Sequence, residues 1–282
     1  MMQILVADGN VAAARREHVR ATGETSAEAY AALLTDLDPE VACTILEPAD
    51  AGAALPAGAE LAGFDGVVFT GSQLHVTEDG EPVRRQRALM RTALEAGLPV
   101  FGSCWGVQLA AAVAGGTTGP NQRGPEYGFA RRLVPTGAGR EHPLLAGRPA
   151  TWDAPAMHLD AVLEPPPGAE VLAGNGLLDV QALALRLGPG TFWGTQYHPE
   201  LDLDELAAML RLSEPDILES GLCRDGGALA AYADEVAALH AGERPDLAWR
   251  HGLGPEVLEA PRRRREIGNF LAHLVRPHAA RR

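Results

Sequence analysis

Cys104 stands between two glycines in "GSCWG" (Gly102–Gly106), and far downstream His198 and Glu200 stand together in "QYHPE" (Gln196–Glu200). A thiol attacks as its thiolate, so it needs a base. That base needs a carboxylate to fix its tautomer and stabilise the imidazolium. These three side chains supply all the parts of an acyl-transfer machine. The thiolate would attack a carbonyl, the imidazole would protonate the departing group, and water would hydrolyse the thioester. The flanks fit this use. An apolar run, "LPVF" (Leu98–Phe101), enters the glycine-flanked turn. A small-residue helical pattern leaves it, with Val107, Ala110, Ala111 and Ala114 on one face. A strand, a sharp turn and a helix lift a nucleophile above a sheet, and glycines relieve the crowding that such an elbow creates.

The elements that must position these residues alternate in type. Strands are predicted at Gln3–Ala7, Val41–Glu47, Gly66–Thr70, Pro99–Gly102, Phe129–Val134, Glu170–Ala173, Gln181–Leu187 and Thr191–Tyr197. Helices are predicted at about 11–35, 83–96 and 105–115. The early alternation implies an α/β fold in three layers, a mainly parallel sheet with helices on both faces. The closely spaced later strands imply an antiparallel extension. Ligands of such sheets bind at the carboxyl ends of strands, where both motifs fall. Pro165–Pro167 reads as a rigid turn between strands.

The chain also resembles the class I, triad-type glutamine amidotransferases, above all the glutaminase domain of GMP synthetase and its stand-alone relatives. "FGSCWGVQ" is similar to the nucleophile motif and "GTQYHPE" to the histidine/glutamate motif. "PEYGFA" (Pro125–Ala130) and "MHLDAV" (Met157–Val162) resemble segments of the GMP-synthetase branch. The resemblance spans roughly residues 1–201 and resumes near "REIGNFL" (Arg265–Leu271). It implies catalytic roles for Cys104, His198 and Glu200, and glutamine or another γ-glutamyl compound as substrate. It requires no cofactor. An oxyanion hole is implied from the backbone N–H of Trp105, the residue after the nucleophile, and from Gly71 and Ser72 in "TGS". Relatives usually carry two glycines and a proline there, so Ser72 is a departure that weakens the second donor. Gln108 carries over as a contact to the substrate amide.

A second departure follows Glu200. Relatives close with one short helix soon after this motif, whereas here the closing pattern, with Ile267, Phe270, Leu271 and Leu274 on one face, falls at 262–275. Two further helical patterns intervene, Leu203, Leu206 and Leu210, then Leu229, Tyr232, Val236 and Leu239. The expected organisation is a single domain over 1–282, with a core of about 1–201 and 262–276 and a C-terminal helical insertion of about 203–260.

Composition excludes several classes. Lys+Arg of 24 against Asp+Glu of 37 leaves a net charge of −13, which argues against a nucleic-acid surface. The one basic run, Arg262–Arg265, reads as a solvated helix face. Cys43, Cys104 and Cys223 are odd in number and lack metal spacing, so a reducing, cytoplasmic setting is expected. "MMQILVADGN" reads as a first strand, not a signal peptide, and no run suits a membrane span. His158 and Asp160 suggest a metal only superficially, because no third ligand stands at suitable spacing. His75, His142, His240 and His273 are isolated and read as surface or packing residues, and Trp152 and Trp193 as core aromatics.

Three functions compete. The leading expectation is a glutaminase that supplies ammonia to a separate synthase, because no P-loop or glycine-rich ATP pattern is present for the acceptor chemistry. The alternative is a stand-alone hydrolase of γ-glutamyl amides or peptides. A third is a non-catalytic regulatory or binding protein on the same fold.

Overall fold

A computed structural model describes all 282 residues. The first half builds parallel strands in the expected order: β1 (Met2–Ala7), β2 (Val41–Leu46), β3 (Gly66–Phe69) and β4 (Pro99–Ser103). Between them run α1 (Ala12–Thr22), α2 (Ser26–Leu37), α3 (Gly58–Leu61) and α4 (Glu81–Glu95), and α5 (Trp105–Val113) follows β4. The predicted helix at 11–35 is two helices. Gly23, at φ +94°, ends α1 in the left-handed conformation, and a capping box between Thr25 and Glu28 starts α2.

The second half is mostly β: β5 (Thr117–Pro120), β6 (Glu126–Pro135), β7 (Trp152–His158), β8 (Asp160–Glu164), β9 (Glu170–Gly174), β10 (Ala182–Leu187) and β11 (Gly190–Thr195), with the short α6 (Gly137–Glu141). The main sheet has nine strands in the order β2-β1-β3-β4-β11-β10-β9-β6-β7. From β2 to β11 all pairs are parallel; from β11 to β7 all are antiparallel. Strands β5 and β8 form a separate antiparallel pair, and they and β7 lie outside the predicted set.

Alternation along β1 shows how the sheet divides two cores. Ile4 and Val6 face a cluster with Tyr30 and Leu34 of α2, and Leu5 and Ala7 face one with Leu89, Met90 and Ala93 of α4. The chain therefore has helices on both faces of a mixed sheet, parallel from β2 to β11 and continued by an antiparallel extension.

After Glu200 come α7 (Leu203–Leu212), α8 (Glu214–Glu219), α9 (Gly226–Ala241), α10 (Pro245–His251) and α11 (Pro255–Leu258). Asp202 caps α7 by accepting from the N–H groups of Asp204 and Glu205. These helices build a third cluster of their own, in which Leu206, Ala233, Val236 and Val257 are fully buried. It reaches the sheet through Tyr127 and Phe129 of β6 and Met157 of β7. Gly128 seats it: φ is +93°, and a Cβ there would meet the Tyr232 hydroxyl of α9 at 2.7 Å.

The closing segment is not one helix. It runs as α12 (Ala260–Arg263), α13 (Arg265–Phe270), a π-helical turn (Leu271–Val275) and α14 (Arg276–Ala279). Nor is its basic run a uniformly solvated face. Arg263 is buried and donates to the Val257 carbonyl, and burial, reinforced by Arg264, lowers its pKa to about 10. No helix is long and apolar enough to cross a membrane.

Candidate active site

Cys104 sits at the junction of β4 and α5 with φ 49° and ψ −98°, a left-handed conformation that costs a non-glycine residue about 1–3 kcal/mol. Its N–H donates to Thr195 of β11, which clamps the turn to the sheet. The glycines on either side are required by packing. A Cβ at Gly102 would stand 2.7 Å from Gly106 Cα, and one at Gly106 would stand 3.2 Å from the Phe69 carbonyl oxygen. Trp105 braces the elbow, its indole N–H donating to Gln86 at 2.7 Å.

Strand β11 delivers the second motif beside the first. The Pro155 carbonyl accepts from the His198 N–H at 2.8 Å. His198 Nδ1 lies 2.6 Å from Glu200 Oε1, and the Ser103 hydroxyl donates to the same oxygen at 2.8 Å. Burial opposes charge on the His198 ring, but the Glu200 carboxylate and then Cys104 outweigh it and hold its pKa well above the ordinary imidazole value. The other ring nitrogen, Nε2, is buried without a hydrogen-bond partner, and the thiol of Cys104 donates weakly to Met157 O at 3.7 Å. The arrangement offers a thiol, a basic imidazole and an orienting carboxylate in one place.

All three line one cavity of about 450 Å³, together with Gly71, Ser72 and Gln108. Gly71 packs on the imidazole, where a Cβ would stand 3.1 Å from Cε1. The N–H groups of Gly71 and Ser72 make no internal hydrogen bond. The N–H of Trp105, first in its helix, has no intrahelical partner by geometry. The Ser72 hydroxyl ties its loop together, donating to the Gly9 carbonyl at 2.8 Å and accepting from the Leu74 N–H at 3.1 Å. Gln108 is buried, and its amide nitrogen donates to the Asp160 carbonyl at 2.8 Å and to Gln196 at 3.3 Å.

Several histidines have partners that sequence spacing did not reveal, His75 and His158 among them. His75, read as isolated, places Nδ1 2.7 Å from Asp160 Oδ2 on the cavity wall. His158 meets Glu126 at 3.0 Å, and Asn175 and Gln181 also donate to that carboxylate. Those partners overcome burial and hold the Glu126 pKa below its ordinary value. His158 and Asp160 thus serve different pairs, and no group of three His, Cys, Asp or Glu side chains is placed to hold a metal ion. Beyond the motifs, the lining also takes in Tyr127 of β6, Glu205, Met209 and Leu212 of α7, and Ser213 and Asp216 after them. Tyr127 lies inside the "PEYGFA" segment, the one signal that could have marked it; nothing in sequence marks the α7 residues.

Residues 39–213, which contain the elbow and both residues of the second motif, match the family model for glutamine amidotransferase class-I. The chain belongs to that family. Among curated amidotransferase relatives, γ-glutamyl-L-1-hydroxyisopropylamide hydrolase of Pseudomonas sp is 34% identical over 99% of this chain and 95% of its own length. The glutamine-hydrolysing GMP synthase subunit of Ignicoccus hospitalis is 33% identical over 52% of this chain and 72% of the relative. Solved structures share the fold. A glutamine amidotransferase from Thermotoga maritima superposes with a TM-score of 0.58 at 15% identity, covering 92% of this chain and 99% of that one. One from Methylobacillus flagellatus gives 0.59 at 17% identity, covering 95% of each.

Proposed function

We propose that this amidotransferase is a stand-alone hydrolase of γ-glutamyl amides, working through a Cys104 thioester. The observation that carries the reading is the cavity itself: Cys104, His198 and Glu200 open onto a space that residues of α7 and α8 also line. The Pseudomonas hydrolase aligns along almost the whole of this chain, those helices included. The Ignicoccus GMP synthase relative matches only about half of it.

In the proposed reaction His198 accepts the Cys104 proton, and Glu200 stabilises the imidazolium. The thiolate adds to the side-chain carbonyl, and the oxygen's developing charge falls toward the N–H groups of Trp105 and of Gly71 or Ser72. Each such donor is worth about 2.7–4 kcal/mol of transition-state stabilisation. As the C–N bond breaks, His198 returns its proton to the departing amine. Water then attacks the thioester, gives a proton to His198, and releases glutamate and the thiol. The segment from about 203 to 260 acts as a cap that shapes access to the thiol.

The sequence-led expectation, ammonia supplied to a separate synthase, keeps one support in the relatives that are glutamine-hydrolysing components of GMP synthase. A substrate panel separates the two. Glutamine and N-substituted γ-glutamyl amides are offered to the purified protein alone, and glutamate release is followed. Turnover of substituted amides without a partner is expected. Turnover of glutamine alone, arising only when a synthase is added, would overturn the stand-alone reading.

A further inference from the structure

The cavity is far larger than the departing ammonia of glutamine needs, and its charge is one-sided. Five carboxylates line it, Glu17, Asp160, Glu200, Glu205 and Asp216, and no Lys or Arg does. Three are already paired with histidines: Glu200 with His198, Asp160 with His75, and Glu205 with His18 at 3.4 Å. Asp216, exposed on α8, has no ion-pair partner. A second, independent sign concerns Asp160. Its side chain is 7% exposed, yet Oδ1 is buried with no donor against it. A cavity with an unsatisfied buried acceptor and an unpaired rim carboxylate calls for a ligand that brings donors.

Tyr127 joins this wall to the chemistry. It is the cross-strand partner of Met157, whose carbonyl accepts from the Cys104 thiol, and all three residues line the one cavity. Burial and the charges of Asp216, Cys104 and Asp160 push its hydroxyl up to about 12, so it stays an O–H donor at neutral pH. Met209 and Leu212 add apolar surface beside it.

We infer that Tyr127, Met209, Leu212 and Asp216 form the subsite for the amine half of the amide, selecting amines that carry a hydroxyl or ammonium and rejecting those that carry a carboxylate. This rests on the γ-glutamyl amide hydrolase reading. The apolar pair holds a short carbon chain, and Asp216 accepts from the group at its end. An amino-acid carboxylate placed there would meet Asp216 with no cation to offset it, a repulsion that costs at least tenfold in discrimination.

The test measures kcat/KM for γ-glutamylethanolamide, γ-glutamylputrescine and γ-glutamylglycine with the wild-type protein, Asp216→Asn and Asp216→Lys. Asp216 is exposed, so these changes leave the core intact. The wild type is expected to favour the first two over γ-glutamylglycine by about tenfold or more, and Asp216→Lys to shrink or invert the putrescine-to-glycine ratio by a similar factor. Asp216→Asn should fall between them. Tyr127→Phe should raise KM for the ethanolamide more than it lowers kcat. Hydrolysis with ratios unmoved by either Asp216 change overturns the subsite and leaves the hydrolase reading standing. Failure to hydrolyse any member of the panel removes both.

Discussion

Replacing Glu200 by glutamine should slow acylation by roughly 10- to 150-fold, and the geometry explains why the loss stops there. His198 Nδ1 and the Ser103 hydroxyl both converge on one carboxylate oxygen, Oε1. A glutamine can leave its carbonyl oxygen in that position, so the imidazole keeps Nδ1–H as a donor and Nε2 free to take the thiol proton. What disappears is the negative charge opposite the imidazolium. A hydrogen bond to a charged group is worth about 1.5–3 kcal/mol, which converts to that factor in rate. The new amide N–H2 falls where Oε2 now lies buried without a partner. That placement adds a penalty in stability. Had the two donors been on different oxygens, the amide would have had to invert the tautomer, and the loss would approach the ~10⁴-fold seen when a triad carboxylate is replaced by its amide. Single-turnover release of the amine, followed across pH, is the assay. His198 must be neutral to take the thiol proton and Glu200 favours its protonation, so the acidic limb of the profile should move to lower pH in the variant. The same linkage acts on stability. Protonated His198 stabilises the fold fully below the ordinary value of 6.5, and the contribution is lost as pH rises through its raised value. A loss of about 10⁴-fold or more, or one under about threefold with an unmoved acidic limb, would refute this account of the pair.

Cys104 should be the sole site alkylated by a glutamine-like diazoketone, read by peptide mass spectrometry; an adduct on Cys43 or Cys223 would remove Cys104 from its role. Gly102→Ala should cost about 1–3 kcal/mol in stability and most of the activity, because its Cβ would press on the Gly106 backbone at 2.7 Å; a variant with wild-type Tm and turnover would contradict the packing argument. Glu266→Ala should lower Tm by roughly 3–12 °C, the range expected for losing a charge-assisted hydrogen bond of about 1.5–3 kcal/mol. The partner is Arg148, only 1% exposed and 2.6 Å from Glu266, which keeps Glu256 as its second carboxylate at 2.6 Å; scanning calorimetry showing a drop under about 2 °C would discount the pair.

The parts of the site that sequence disclosed were those compressed into contiguous letters. Gly102, Cys104 and Gly106 announce an elbow because its sterics act within five residues. The pairings made across the fold carry no such local mark. His75 finds Asp160 only because β8 lies beside the loop after β3, and β8 itself escaped notice as a short strand with few β-branched residues. Strand β7 was hidden by Pro155 in "WDAPAMH". Proline is tolerated there because β7 is the edge of the nine-stranded sheet, where a missing N–H interrupts no ladder. Periodicity ran through Gly23 and made one helix of two. In the helical segment after Glu200, the apolar stripes foretold helices but not their partner, since Phe129 and Met157 lie on strands far earlier in the chain.

The Tyr197 hydroxyl donates to Glu266 at 2.7 Å, so the chain leaves and rejoins the core at one buried hydrogen bond next to His198. From Leu201 to Arg265 the chain is, in its connectivity, a long loop whose ends are tied. The entropy of closing such a loop grows only logarithmically, and doubling its length costs about 0.6 kcal/mol. The length and content of this stretch are therefore nearly free variables for evolution. Residues facing the thiol from α7 and α8 can be lengthened, shortened or exchanged wholesale while Cys104, His198 and Glu200 stay in register. A laboratory seeking a new amine specificity would graft at that clasp and leave the sheet alone.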